Sequence, residues 1–461
     1  MRFEENIKRA VTRLAYKDTR TRKTPEEIEN IALAVSNATM NSQYDFSNAQ
    51  IIILRQNGNK RFAKQYNDLY STESVLCQYI KQVLDKTFKI RYPNRNNMIR
   101  SLFNILSAVK QMTYFTIVKF DFKDYFNSVS STYVFERLIK ANLSDRFDID
   151  LISTFCEKTK YTFAGLSTSN VIAEIIAKHF DEILKQNFVA KGKCILYFER
   201  YIDDGIIIFN EYINQTECEN VLDASLNYVY HDKSSTVLPK CKTNFNVNKF
   251  AYISNDSLNS SCVSFDYLGY EFWFSRDQVD GKVDLKYGIT KQKRIKYQKR
   301  LSKLLQPHVH DGGFIDVELL RHKIMAFSQR IVYRNKRYKA DVWKVKGFIS
   351  TYGELRNLLE TKLIEKNTEI FLKTMVIKTF KQFQVPLPYF IKGCKNISGY
   401  SLFNNMRKNK TLLLVQHIGY DENALAKLCK QVGIDNEDSN GQKRGYGNLV
   451  KEYLIKMKVG H

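Results

Sequence analysis

The stretch Glu199-Arg-Tyr-Ile-Asp-Asp-Gly-Ile-Ile-Ile-Phe209 sets two adjacent aspartates between apolar runs. Carboxylates at the edge of a sheet core are costly to desolvate unless hydrogen bonds or a cation compensate them. A chain carrying this segment must therefore fold so that Asp203 and Asp204 meet compensating charge. Cys194 to Phe198 and Gly205 to Phe209 read as two strands. Asp-Gly is a favoured hairpin dipeptide, so Asp204-Gly205 is expected to form a tight turn from which the carboxylates project.

A second segment supplies a partner. Thr116 to Phe122, TIVKFDF, alternates as a strand, with Ile117, Lys119 and Asp121 on one face and Val118, Phe120 and Phe122 on the other. Phe126 follows at the start of a turn into a helix capped between Ser130 and Thr132 and carrying Phe135, Leu138 and Ile139. Phosphoryl transfer from a nucleoside triphosphate needs charge neutralised on both reacting groups. Two Mg²⁺ ions ~3.5–4 Å apart do this where hard carboxylate oxygens converge from separate strands. Asp121, Asp203 and Asp204 are of the right type and in suitable positions for that chemistry.

The charge balance points the same way. Lys and Arg total 72 against 48 Asp and Glu, a formal charge of +24 spread along the 461 residues. Such a field suits a polyanionic partner, nucleic acid or nucleotide. With 44% hydrophobic and 13% aromatic residues the chain is not a disordered one, and 19 Gly and 6 Pro imply long helices and short loops. The eight cysteines contain no C-x-x-C pair and the seven histidines show no ligand spacing, as in a reduced chain without structural zinc. The N-terminus lacks an apolar segment of signal length and no later run approaches the ~18 apolar residues of a membrane span, so a cytoplasmic protein with no membrane partner is expected.

Along the chain, Thr24-Pro-Glu-Glu27 is a capping box ahead of Ile28, Ile31, Ala32 and Val35, and residues 1–84 are expected to be mainly helical. A helix with Ile172, Ile175, Ile176, Phe180, Ile183 and Leu184 on one stripe should hold His179 as a core histidine. A last strand pair falls near Phe265 to Phe274. Beyond Gly288 the pattern is helical almost throughout, including a basic face of Lys296, Lys299, Arg300 and Lys303 and a helix with Leu372, Met375, Val376, Phe380 and Phe383 that ends before Pro386 and Pro388. The expected division is a helical region 1–84, a mixed sheet-and-helix region 85–285, a helical basic region 286–385 and a helical domain 386–461.

Asp121 with Phe126, Tyr201-Ile-Asp-Asp204 and Phe265-Asp-Tyr-Leu-Gly-Tyr270 stand in the order and spacing of the palm motifs of the reverse transcriptase family, which the chain resembles over about residues 85 to 305. The resemblance implies an α+β fold, the fingers and antiparallel palm sheet of a right-hand polymerase followed here by an all-helical C-terminal region. It implies that Asp121, Asp203 and Asp204 bind two Mg²⁺ ions, for which Mn²⁺ can substitute. Phe126 would pack where a ribose 2′-hydroxyl would sit and so favour dNTPs. Asn246-Val-Asn-Lys249 looks like the family's N-x-x-K element, whose lysine protonates the departing pyrophosphate. Arg95 and Arg100 fall where the fingers hold the triphosphate, and Phe122, Gly165 and Tyr201 complete the implied nucleotide site.

The chain departs from templated members at the G-L-P-Q-G-like loop, where only Tyr161-Thr-Phe-Ala-Gly165 and the Ser169 to Ile175 helix start remain. With that loss and the helical extension, the chain is most similar to the bacterial abortive-infection polymerases, of the Abi-P2 type. That resemblance implies template-independent, protein-primed DNA synthesis by a homo-oligomer, with single-stranded DNA attached to the protein, in defence against phage. Any exposed tyrosine could prime; Tyr44 is one accessible-looking choice. A templated enzyme of retron or group II intron type, and a catalytically silent nucleic-acid-binding palm, are the alternatives.

Overall fold

Thr24 caps its helix as its sequence demands. Its hydroxyl accepts from the Glu27 N–H at 3.1 Å while the Glu27 carboxylate accepts from the Thr24 N–H at 2.7 Å, closing a capping box on the helix Pro25–Met40. Ile28, Ala32 and Val35 then face inward at helical spacing. The computed structural model describes residues 2–18, 23–56, 59–232, 240–258, 262–276, 282–337, 340–395, 397–437 and 441–458. They fall into two units, Met1–Arg95 with Met112–Asp256, and Asn96–Gln111 with Ser257–His461.

The first unit opens with helices Arg2–Lys17 and Pro25–Met40, then an antiparallel hairpin of β1 (Gln50–Gln56) and β2 (Asn59–Gln65). This hairpin interrupts a region expected to be helical. Its sequence signal is the apolar run Ile51-Ile-Ile-Leu54 followed by Asn57-Gly58, a strong hairpin dipeptide. Helices Thr72–Thr87, Arg146–Thr159, Ser167–Ala190 and Gln215–Tyr230 follow around a five-stranded antiparallel sheet. Its strands are β3 (Thr116–Lys123), β4 (Ile195–Tyr201), β5 (Asp204–Phe209), β6 (Asn244–Phe245) and β7 (Ala251–Ser254). The order is β4-β5-β3, with β6 and β7 pairing successive parts of the far edge of β3.

Strand β3 is central, and every residue from Thr116 to Phe122 is buried. On its apolar face Phe122 stacks on Tyr125 (4.9 Å between ring centroids) and on Phe245 of the paired strand β6 (5.4 Å). Its other face carries Lys119 and Asp121, buried as well. Burying a lysine and an aspartate on one strand face requires that they be paired.

In the second unit, β8 (Val263–Tyr267), β9 (Tyr270–Arg276) and β10 (Val283–Ile289) form an antiparallel meander. The Leu268-Gly269 loop of Phe265-Asp-Tyr-Leu-Gly-Tyr270 is its first turn, and both loop residues have positive φ. Helices Lys291–Leu305, Val317–Ser328 and Lys366–Lys381 come next, the last ending ahead of Pro386 and Pro388. Lys296, Lys299 and Lys303 are exposed on the first of them.

The C-terminal part is not all-helical. Beyond a short pair, β11 (Val309–His310) and β12 (Gly313–Phe314), the hairpin β13 (Arg330–Arg337) and β14 (Ala340–Lys346) joins β15 (Thr411–Leu414), which runs parallel to β13. Ile331, Leu412 and Leu414 bury one face of this sheet against helices Glu422–Gln431 and Tyr446–Lys456. Dense Lys and Arg across 330–346 masked the period-2 alternation. No helix among the described residues is long and apolar enough to cross a membrane.

Candidate active site

Strands β3 and β5 bring the first two carboxylates together. Their register sets Asp121 directly opposite Asp204, a like-charge pair that is unfavourable by itself. The site answers with amines and an amide. Lys249 Nζ lies 2.8 Å from Asp121 Oδ2, Asn246 Nδ2 donates to Asp121 Oδ1 at 3.2 Å, and the Asn246 N–H donates to the Asp121 carbonyl at 2.7 Å. Both ends of the Asn246 to Lys249 element thus clasp the one aspartate, whose side chain is 2% exposed. Lys119 Nζ sits 3.6 Å from Asp204 Oδ1 and donates to the Lys249 carbonyl at 3.4 Å.

These positions set the electrostatics. Burial pushes the Asp204 carboxyl up to about 7; Lys119 and Lys249 pull against it, while Asp121 and Asp203 push with it. Burial acts to lower Lys249, but the Asp121 hydrogen bond and charge, with Asp204 and Asp203, outweigh it and hold the ammonium above its ordinary value.

The turn between β4 and β5 differs from the expected one. Tyr201 pairs with Asp204, so the two loop residues are Ile202 and Asp203, and Asp204-Gly205 lies within the strand. Ile202 takes φ +61°, an unusual conformation for a β-branched residue. Gly205 is required for another reason: a Cβ there would lie 2.2 Å from Cζ of the buried Phe120 ring, which occupies the place of its side chain.

Two contacts fasten the turn. The Phe122 N–H donates to the Asp203 carbonyl at 3.0 Å, and Arg200 Nη1 donates to the Ile202 carbonyl at 2.6 Å. Arg200 is buried beneath the sheet, where Nε meets both oxygens of Asp181 at 2.8 and 3.0 Å and the two Nη atoms meet Glu174 at 3.2 and 2.9 Å.

The other nucleotide-site expectations fare unevenly. Phe122 is a core residue, 1% exposed and stacked between aromatic rings, so its side chain offers no nucleotide surface and its backbone N–H is what serves the turn. Phe126 is half-buried, and its carbonyl accepts from the Thr162 hydroxyl at 2.8 Å. Gly165 has φ +106°, and a Cβ there would come within 2.4 Å of the Lys64 carbonyl, so it joins β2 to the 161–165 loop. Tyr201 ends β4, half-buried beside the turn. Arg95 opens the helix Arg95–Val109. Arg100, farther along it, belongs to the second unit, is 65% exposed and pairs there with Glu354 at 3.2 Å. Tyr44 is half-buried against Phe46, with ring centroids 5.3 Å apart. His179 is half-buried at the edge of the core, and burial lowers its pKa.

Sequence reasoning gave no role to Lys119, Asn246 or Arg200. The first was legible, since strand alternation puts Lys119 on the Asp121 face. Arg200 was not, because its partners lie on a helix separate in sequence.

No group of three or more His, Cys, Asp or Glu among the described residues is gathered closely enough to hold a metal ion as it stands. The donors fit a hard dication in kind: aspartate oxygens from two paired strands and the turn beside them, with a cationic amine already on one of them.

No protein-family model and no curated protein sequence matches the chain. Among solved structures, similarity is found to telomerase from Candida tropicalis in complex with a TWJ fragment of telomeric RNA, at 13% identity and TM-score 0.35, covering 59% of this chain and 53% of that one. Apo telomerase from Candida tropicalis gives 14% and 0.33, covering 56% and 52%. Telomerase from Candida albicans in complex with a TWJ fragment gives 11% and 0.37, covering 94% and 66%. The chain thus spans between half and two thirds of the length of these structures.

Proposed function

We propose that this protein is a reverse transcriptase-like DNA polymerase that joins dNTPs by two-metal phosphoryl transfer at Asp121, Asp203 and Asp204. The observation that carries this reading is the cross-strand pairing of Asp121 with Asp204, held by Lys119, Lys249 and Asn246. Two carboxylates facing each other, one buried and one half-buried, are a burden to a scaffold, and this pair is built where hard cations could bind. Bound Mg²⁺ would supply Lewis-acid activation of the attacking hydroxyl and neutralise the triphosphate.

The chain's own residues account for the rest. Asp121, Asp203 and Asp204 would hold the ions. The Ile202-Asp203 turn orients the second carboxylate, and Phe126 would press on the sugar and exclude ribonucleotides. Lys249 holds Asp121, and its ammonium would be an acid available to a departing pyrophosphate.

The similarity to abortive-infection polymerases extends the proposal: synthesis is template-independent, starts from a tyrosine of the protein, leaves single-stranded DNA attached, runs in a homo-oligomer and serves phage defence. The eroded Tyr161 to Gly165 loop supports this over a templated enzyme, since the residues that position a template-paired nucleotide are absent. The test is to incubate purified protein with one labelled dNTP and Mg²⁺, without primer or template, and then digest with protease. Label that stays with protein until digestion supports the reading. Strict dependence on added RNA supports a templated enzyme, and no incorporation under either condition supports a silent scaffold.

A further inference from the structure

Arg200 uses its guanidinium on three acceptors at once. Two are carboxylates, Glu174 and Asp181, seven residues apart on one face of the helix Ser167–Ala190; the third is the Ile202 carbonyl. Its side chain is 2% exposed.

Buried ion groups of this kind seldom stabilise a fold more than apolar side chains of the same volume would. Their distinctive property is geometric: a planar fork bound to two fixed carboxylates leaves the second N–H of Nη1 aimed in one direction. That direction is the carbonyl of a β-branched residue held at positive φ, the peptide immediately before Asp203. The next carbonyl, that of Asp203, is held from the opposite side by the Phe122 N–H, in the residue after Asp121. The peptide bearing Asp203 is therefore pinned at both ends.

We infer that Glu174, Arg200 and Asp181 form a clamp that keeps the strained Ile202-Asp203 turn in register with Asp121, and that Arg200 is a positioning residue for the carboxylates of the reaction. This rests on the polymerase reading for its consequence in catalysis, while the clamp can be observed without turnover. A lysine at 200 could keep a positive charge near the two carboxylates but could not also present a second, fixed N–H to the Ile202 carbonyl.

The experiment compares the wild type with Arg200→Lys, Ile202→Gly and the double variant, and with Glu174→Gln, which keeps the shape if Arg200→Lys fails to fold. Amide hydrogen exchange is followed over residues 201–206 and 167–190, with kcat and KM for a single dNTP in Mg²⁺. Arg200→Lys is expected to lose protection in the turn while the helix keeps its own. Its kcat should fall by roughly 10- to 100-fold, as a displacement of about 1 Å at a reacting group costs, with KM little changed; Glu174→Gln should show a smaller change of the same kind. Glycine at 202 relieves the positive-φ strain, so the kcat loss from Arg200→Lys should shrink at least threefold in that background.

Wild-type turn protection in both clamp variants, or equal loss of protection through turn and helix with the same kcat loss in both backgrounds, would overturn the clamp. If the wild type incorporates nothing, the polymerase reading fails by itself. The exchange data then decide the clamp alone, upholding it if the loss is confined to the turn and overturning it otherwise.

Discussion

Lys249 Nζ lies 2.8 Å from Asp121 Oδ2, so the buried carboxylate of the central strand is held by the chain's own cation. The ammonium is half-exposed while its partner is buried, which makes it the displaceable member of the pair. Lys249→Met should lower stability by about 1–3 kcal/mol in chelator, the cost of stranding a charged hydrogen-bond acceptor. Mg²⁺ should return most of that loss, because a dication replaces the missing charge. Thermal melts with and without Mg²⁺ check this; an equal deficit in both buffers would show that no metal reaches Asp121.

The raised Asp204 carboxyl predicts a pH dependence of stability. Its pKa stands at about 7, above the ordinary value near 3.9 that it has in the unfolded chain. Between those values the folded protein binds more protons than the unfolded chain. The stability this group contributes is full below about pH 4 and is lost as pH rises through 7. Asp181, pushed up to about 6 by burial against the pull of Arg200, acts in the same direction over a narrower window. In chelator, melting temperature should fall across this range, and Asp204→Asn should flatten the upper part of the fall and melt above the wild type at pH 8. A wild-type profile unchanged by Asp204→Asn would contradict the assignment.

Gly205 and Phe120 make a packing prediction. The Phe120 ring also meets Phe122, Phe180 and Phe245, at centroid distances of 5.9, 5.9 and 5.6 Å, so it has nowhere to retreat from a new methyl group. Gly205→Ala should cost about 1–3 kcal/mol or more. Phe120→Leu in the same chain should recover part of that cost by vacating the space, as read by denaturant titration.

Phe126 sits half-buried in the one-turn helix Tyr125–Ser128 that follows β3. Phe126→Ala should raise ribonucleotide incorporation relative to deoxyribonucleotide by roughly tenfold or more, within the ~10–200-fold that one apolar contact discriminates. Single-nucleotide incorporation with rATP and dATP measures the ratio; no change would remove Phe126 from the sugar site.

The meeting of Asp121 with the Asp203-Asp204 segment was legible in the sequence from strand alternation around Asp121 and apolar runs around Asp203 and Asp204. The turn itself was misplaced by two residues, since Asp-Gly is a local signal while register is decided by which side chains pair across β4 and β5. Gly205 serves ring packing, a requirement that exists only once Phe120 is opposite it. The β13 to β15 sheet is not legible because charge, more than alternation, dominates its sequence, and the β1 to β2 hairpin lies in a region dense with helix formers. Arg200 with Glu174 and Asp181 joins segments that carry no shared sequence signal, and only the fold brings them together.

The most direct test of the account is Mg²⁺-dependent incorporation of a labelled dNTP by the wild type and by Asp121→Asn, at a temperature where melts show both folded. Asparagine preserves the shape of the side chain and removes its charge, leaving Lys249 and Asn246 around a neutral group. The account predicts incorporation by the wild type that chelator abolishes and none by Asp121→Asn. Undiminished incorporation by the variant would contradict it.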